Sequence, residues 1–197
     1  EVVKLLSELI QFKSITPDTS NCQKYIDNYL SESNFKTEYI KYNSVQNMIS
    51  TYGKGAPCLA FIGHTDVVPS GDEAKWDSDP FELTKKNDFL VGRGTSDMKG
   101  GIACFMQAVG EFIEENDSFD GSIKLILTGD EEGDAIHGIR KLVDSNVFKE
   151  NELDFCLVGE PSSSDEIGDV IRNGRRGSIT GHLTLLCGQG HVAYPEK

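Results

Sequence analysis

The chain has 197 residues, of which 38% are hydrophobic, and 32 acidic against 19 basic side chains give it a formal net charge of −13. That length supplies one sizeable core, with room for the start of a second domain. The acidity excludes recognition of a phosphate backbone, which needs a basic surface, so nucleic acid is not an expected partner.

Val2, Leu5, Leu6, Leu9 and Ile10 recur at helical spacing, and Ser14-Ile-Thr-Pro17 ends that first helix. Cys22, Tyr25, Ile26, Tyr29 and Leu30 predict a second helix. Residues 35–40 and 45–51 read as strands, with Gly53-Lys-Gly55 as a turn. Cys58-Leu-Ala-Phe-Ile62 is a third strand and runs straight into Gly63-His64-Thr65-Asp66. Residues 70–90 read as polar loop, anchored by Trp76, Pro80 and Phe81. The glycine-rich island Gly92-Arg-Gly-Thr-Ser-Asp97-Met-Lys-Gly-Gly101 then opens a helix carried by Ile102, Phe105, Met106, Val109, Phe112 and Ile113. A strand at Ile123–Leu127 leads into Thr128-Gly-Asp-Glu131-Glu132-Gly133. A helix follows on Ile136, Ile139, Arg140, Leu142 and Val143, and a strand at 154–158 leads into Gly159-Glu160-Pro161.

Short apolar runs alternating with amphipathic helices predict an α/β domain, built on a mixed, mostly parallel twisted sheet flanked by helices. The style changes after Ser162. Residues 167–171 and 178–186 read as strands with no helix between them, so a second, α+β domain is expected to begin near Gly177. The expected division is 1–176 and 177–197.

Five cysteines are present, Cys22, Cys58, Cys104, Cys156 and Cys187, with no C-x-x-C spacing. An odd number placed mostly in apolar runs predicts buried thiols in a reducing compartment, not a disulfide framework or a cysteine zinc site. No apolar run approaches the length of a bilayer span and no cationic leader precedes the first helix. A cytoplasmic protein without a membrane partner is the expectation.

The acidic and His residues sit where the apolar runs end. In an open α/β sheet the crevice outside the carboxyl ends of the strands is where ligands bind. His64, Asp66, Asp97, Glu131, Glu132 and Glu160 therefore converge although they span about a hundred positions, and one imidazole among carboxylates is the inventory of a metal site. His64 reads as a ligand, and Asp66, two residues on, as the carboxylate that fixes its tautomer. Asp97 stands where a loop enters a helix, and its two oxygens suit a bridge between two cations; alone, it reads as an N-cap. Glu131 and Glu132 are adjacent and point in different directions, so one suits a metal and the other a general base. Alone, such a pair is a solvated acidic loop, as is Glu160 before Pro161. Arg175 and Arg176 suit a substrate carboxylate, because a guanidinium offers it two parallel hydrogen bonds. His137 and His182 read as structural.

His64-Thr-Asp66-Val-Val-Pro69, Gly92-Arg-Gly-Thr-Ser-Asp97-Met-Lys-Gly100, Asp130-Glu-Glu-Gly133 and Gly159-Glu-Pro-Ser162 together resemble, in order and spacing, the consecutive motifs of the dinuclear zinc amidohydrolase/peptidase family. Asn173-Gly-Arg175-Arg176-Gly-Ser178-Ile and Gly188-Gln-Gly-His191-Val-Ala-Tyr194-Pro195 resemble its desuccinylase branch more than its acetylornithine deacetylases. The resemblance implies a zinc-exopeptidase-like catalytic domain with an inserted dimerisation domain, and a homodimer. It implies two Zn²⁺, replaceable by Co²⁺, one held by His64, Asp97 and Glu160 and the other by Asp97 and Glu132. Glu131 would be the general base and Asp66 would orient His64. His191 would polarise the scissile carbonyl of the partner subunit's substrate, and Arg175, Tyr194, Arg176 and Ser178 would hold substrate. The implied substrate is N-succinyl-LL-2,6-diaminopimelate, split to succinate and LL-2,6-diaminopimelate on the way to lysine.

Two departures stand out. The family takes a His near its C-terminus for the second zinc, and nothing after His191 supplies one. Family chains also complete the second domain and return to the first. The expectation is therefore a fragment that is inactive alone. A deacylase of acetyl-amino acids, a dipeptidase and a non-catalytic metal-binding piece stay open beside the desuccinylase.

Overall fold

The computed structural model describes residues 1–18, 20–116, 118–174, 181, 183–184, 186 and 190. The chain forms two compact units, Glu1–Pro161 and Ser162–Lys197. Among the described residues, every helix and strand belongs to the first unit.

Helix α1 (Val2–Gln11) buries Leu5, Leu6, Leu9 and Ile10, one stripe of a 3.6-residue period. Helix α2 (Ser20–Ser31) adds Cys22, Ile26 and Leu30 to the same core. Strands β1 (Lys36–Tyr42) and β2 (Val45–Lys54) form an antiparallel hairpin whose two-residue turn places Asn43 at φ 53°. Strand β3 (Cys58–His64), two short strands β4 (Thr84–Lys86) and β5 (Phe89–Val91), helix α3 (Gly100–Glu115), strand β6 (Gly121–Thr128), helix α4 (Ile139–Asp144) and strand β7 (Phe155–Val158) follow.

The main sheet has the order β1-β2-β6-β3-β7. The β1–β2 and β2–β6 pairs are antiparallel, whereas β3–β6 and β3–β7 are parallel, so the sheet is mixed. Parallel neighbours require crossovers, and α3 and α4 lie in them. Period-two alternation divides the strands between two cores. Met48, Phe61, Leu125 and Leu127 face a large core shared with α1, α2 and α3. Ile49, Ala60 and Ile126 face the other side, where Leu142 of α4 packs. The helices thus flank the sheet as expected, and the carboxyl ends of β3, β6 and β7 lie side by side.

Several local expectations need correction. The loop at 70–90 contains a 3₁₀ turn at Glu73–Lys75 and the β4–β5 hairpin. Helix α4 starts at Ile139, not near Ile136: Gly138 takes a non-helical backbone at φ −89° and ψ −138° and is its N-cap, while the Ile136 and His137 N–H groups donate to the Asp130 carboxylate. The apolar run at 155–158, which reads as a buried strand, instead lies at the sheet's edge as β7, with Phe155 63% and Leu157 54% exposed. Residues 167–171 form no strand; there the Asp169 carboxylate gathers the N–H groups of Ser164, Asp165 and Glu166 into a turn. The strand expected over 178–186 lies largely outside the described residues.

Candidate metal centre

Three of the acidic islands leave the sheet at adjacent strand ends, and the fourth meets them from the start of α3. His64 is the last residue of β3, the strand between β6 and β7. The 131–132 pair follows β6 and Glu160 follows β7 by two residues. Asp97 sits in the tight turn Thr95–Lys99 that opens α3, with extended backbone at φ −123° and a cis peptide to Met98.

Close approach of these segments depends on the absence of side chains at two positions. A Cβ on Gly63 would lie 2.5 Å from the Met98 methyl carbon. A Cβ on Gly159 would lie 2.2 Å from Phe61 Cζ and 2.7 Å from the same methyl carbon. Met98 is fully buried between them, and its sulfur accepts the His64 N–H at 3.3 Å. Lys99 is also fully buried and donates through Nζ to the carbonyl oxygens of Leu9 (3.0 Å) and Phe12 (2.8 Å). Its ammonium satisfies the end of α1, where the helix dipole favours positive charge. Burial pushes the Lys99 pKa down. The Asp97 turn is thereby tied to the first helix.

His64 is 1% exposed. Its Nδ1 lies 2.8 Å from the main-chain carbonyl oxygen of Asp66 and 3.6 Å from that residue's carboxylate. A carbonyl only accepts, so Nδ1 carries the proton and Nε2 turns toward the crevice. Nε2 lies 3.0 Å from Asp97 Oδ1, 3.5 Å from Glu160 Oε1 and 4.0 Å from Glu131 Oε2. Burial alone would lower the His64 pKa. The Glu160 carboxylate, the Asp66 carbonyl and the charges of Asp66 and Glu131 outweigh burial and raise it to about 9.

Asp66 is fully buried, and its carboxylate has partners besides the imidazole. It accepts the main-chain N–H of Glu131 (3.2 Å) and of Glu132 (3.0 Å). Asp66 therefore positions His64 through its backbone and the Glu131–Glu132 pair through its side chain. Both glutamates have raised pKa values. For Glu131 the causes are burial, opposed by His64, then the charges of Glu160, Asp97 and Asp66. For Glu132 they are burial and Asp97, opposed by His64, then Glu131 and Asp66.

Ligand atoms of His64, Glu131 and Glu160 lie within 4.8 Å of one another, as do those of His64, Asp97 and Glu132. Converging carboxylates raise one another's pKa, and a cation among them would relieve that repulsion. An imidazole with several carboxylate oxygens is a donor set that Zn²⁺ and its borderline neighbours accept. The residues present fit a metal centre.

Comparison with known proteins agrees with that chemistry. The family model described as Peptidase family M20/M25/M40 matches residues 60–184. The chain belongs to this family. Succinyl-diaminopimelate desuccinylase of Hydrogenovibrio crunogenus (strain DSM 25203 / XCL-2) is 46% identical over 197 residues, 100% of this chain and 52% of the relative. The desuccinylase of Nitrosomonas eutropha (strain DSM 101675 / C91 / Nm57) is 46% identical over 192 residues, 98% of this chain and 51% of the relative. The chain thus spans about half the length of the curated relatives it matches. The M20 family metallo-carboxypeptidase Sso-CP2 from Sulfolobus solfataricus shares the fold with TM-score 0.71 at 21% identity, over 82% of this chain and 38% of that one. M20 proteins are metal-dependent hydrolases, and this chain carries a fitting set of side chains.

His64, Asp66, Asp97, Glu131, Glu132 and Glu160 are all brought to this one crevice. His191, Arg175, Arg176, Ser178 and Tyr194 lie outside the described residues. Met98, Lys99 and Asp130 support the site and were given no role from the sequence. Their one signal was position, inside Asp97-Met-Lys-Gly100 and Asp130-Glu-Glu-Gly133. Among the described residues, no helix is long and apolar enough to cross a membrane.

Proposed function

We propose that this chain is the metal-binding part of a zinc-dependent desuccinylase. The enzyme hydrolyses N-succinyl-LL-2,6-diaminopimelate to succinate and LL-2,6-diaminopimelate. What carries the proposal is 46% identity to a desuccinylase along all 197 residues, with the Glu131–Glu132 pair beside His64. In this assignment His64, Asp97 and Glu160 hold one Zn²⁺, and Asp97 and Glu132 hold a second. The spacing of His64 Nε2 to Asp97 and Glu160 supports the first set. The metal ions supply Lewis acidity and lower the pKa of water, with Co²⁺ an acceptable substitute. Glu131 takes the proton of the attacking water and returns it to the leaving amine. Its carboxylate lies 4.0 Å from His64 Nε2, beside the proposed metal ligands, as a base for that water must. Asp66 holds the backbone of Glu131 and the ring of His64 in place.

His191 polarises the scissile carbonyl across a homodimer, and Arg175, Arg176, Ser178 and Tyr194 hold the substrate's charged ends. These roles rest on the motif resemblance, as do the dimerisation role of the domain expected to begin near residue 177 and a place in lysine synthesis; a cytoplasmic location rests on the cysteine pattern and the lack of a long apolar run. The test is zinc stoichiometry together with hydrolysis of succinyl- and acetyl-amino acid substrates, on the protein expressed from its whole gene. Two zincs with a preference for the succinyl substrate support the assignment. Two zincs with an acetyl preference move it to a sister deacylase, and no zinc overturns it.

A further inference from the structure

Asp130 is 5% exposed, lies next to the Glu131–Glu132 pair, and takes no part in the proposed chemistry. Its carboxylate accepts three main-chain N–H groups further along its own loop, from Ala135 (3.2 Å), Ile136 (3.0 Å) and His137 (2.9 Å). Three successive amides turned on one anion form a nest, a concavity built to hold negative charge. Ala135 takes the left-handed conformation at φ 53° that such a turn requires. The loop is fixed at both ends as well. The Asp130 N–H donates to Thr128 Oγ1 at 3.2 Å, and the His137 carbonyl accepts from Asn47 Nδ2 at 3.0 Å, where Asn47 is fully buried. Gly133 lets the loop close tightly, because a Cβ there would lie 2.9 Å from Asp130 Oδ1 and 2.7 Å from Thr16 Oγ1.

We infer that Asp130 is a positioning residue: its carboxylate fills the nest made by its own loop and so sets the direction in which Glu131 and Glu132 leave β6. Two buried carboxylates then govern this pair, Asp66 gripping their amides and Asp130 closing the loop behind them. Without Asp130, three main-chain amides lose an ionic acceptor, and the two acids, already held near other carboxylates, are free to swing outward. The metal-binding consequence rests on the proposed zinc centre; closure of the loop does not.

The test uses Asp130→Ala and Asp130→Asn in the whole-gene protein. Zinc affinity is measured by chelator competition, and amide exchange at residues 135–137 is measured on metal-free protein. For Asp130→Ala the expectation is roughly 10–100-fold weaker zinc binding, as for loss of other partners that orient ligands. Exchange at the three amides should quicken roughly tenfold or more. Formate should slow that exchange and restore part of the zinc affinity in Asp130→Ala, and should change neither in the wild type. Asp130→Asn, which keeps one acceptor oxygen without charge, should fall between. Wild-type affinity and exchange in both variants overturn the inference, as does formate without effect on a folded Asp130→Ala. If Asp130→Ala does not fold, Asp130→Asn decides: weakened zinc binding at an unchanged melting temperature supports the role, and wild-type binding overturns it. A wild type that binds no zinc defeats the metallohydrolase assignment, and the exchange and formate measurements still judge Asp130.

Discussion

Stripping the metal turns His64 into a proton-binding site with a defined working range. Three crevice carboxylates lie within 4.0 Å of its Nε2, and its pKa rises from 6.5 to about 9. Metal binding requires neutral imidazole, so proton and metal compete for one nitrogen. At about pH 7.5 a group of pKa ~9 is protonated ~97% of the time, which weakens apparent metal affinity roughly 30-fold, or about 2 kcal/mol. Affinity should therefore keep rising by about tenfold per pH unit up to pH ~9, well past the point where an ordinary histidine has levelled off. Calorimetry in buffers of different ionisation enthalpy should register about one proton released from His64 per metal taken up at neutral pH. Stability of the metal-free protein carries the same signature. The folded pKa lies above the unfolded one, so His64's contribution is whole below pH ~6.5 and is lost as pH climbs through ~9; the separation is worth on the order of 3 kcal/mol. Urea unfolding of metal-free protein at about pH 6 and pH 10, beside His64→Gln, measures it. If wild type and His64→Gln change in parallel between those values, the imidazole is not held by its neighbours as described.

In the protein expressed from its whole gene, Glu131→Gln should lower turnover by about 10²–10⁴-fold while zinc stoichiometry stays at the wild-type value; equal loss of metal would exchange the roles of Glu131 and Glu132. Gly159→Ala should destabilise by about 1–3 kcal/mol through overpacking against Phe61 and Met98, and weaken metal binding by displacing Glu160. Gly110→Ala in α3, where a Cβ would meet only Tyr29 Oη at 3.9 Å, should instead stabilise by roughly 0.5–1 kcal/mol, both glycine variants being compared with wild type by thermal melts. Lys99→Met keeps the stem but removes the ammonium donor from the Leu9 and Phe12 carbonyls, leaving them only the longer bonds from the Phe12 N–H (3.3 Å) and Ser14 Oγ (3.4 Å), so a loss of about 1–2 kcal/mol is expected in urea titrations. An unchanged midpoint there would show that the buried ammonium contributes nothing net.

What the sequence disclosed followed from how strongly each pattern was determined. Cys58–Ile62 and Ile123–Leu127 are apolar runs that end in acids or His, and both became strands with site residues at their carboxyl ends. The convergence of His64, Asp97, Glu131, Glu132 and Glu160 was legible because sheet topology admits few alternatives once strands and crossover helices alternate. The β4–β5 hairpin was not, since Thr84-Lys-Lys and Phe89-Leu-Val are three residues each, too short for period two to declare itself. The start of α4 was misplaced because Ile136 fits the helical stripe, yet the backbone leaves helical geometry at Gly138. Spacing showed that Asp66 belonged near His64 but not which of its atoms would serve the ring. A carbonyl at 2.8 Å and a carboxylate turned to other amides are decided by tertiary structure.

The rim of the sheet at β7 has a practical consequence for handling the protein. Among the described residues β7 pairs on one side only, with Phe155, Leu157 and Val158 each more than half exposed. An open strand edge dressed in apolar side chains is a template for a second copy to add to. At high concentration, addition of a second copy along this edge is the expected route of association. Turbidity and poor recovery in a preparation would then report this strand, and say nothing about the soundness of the crevice beside it.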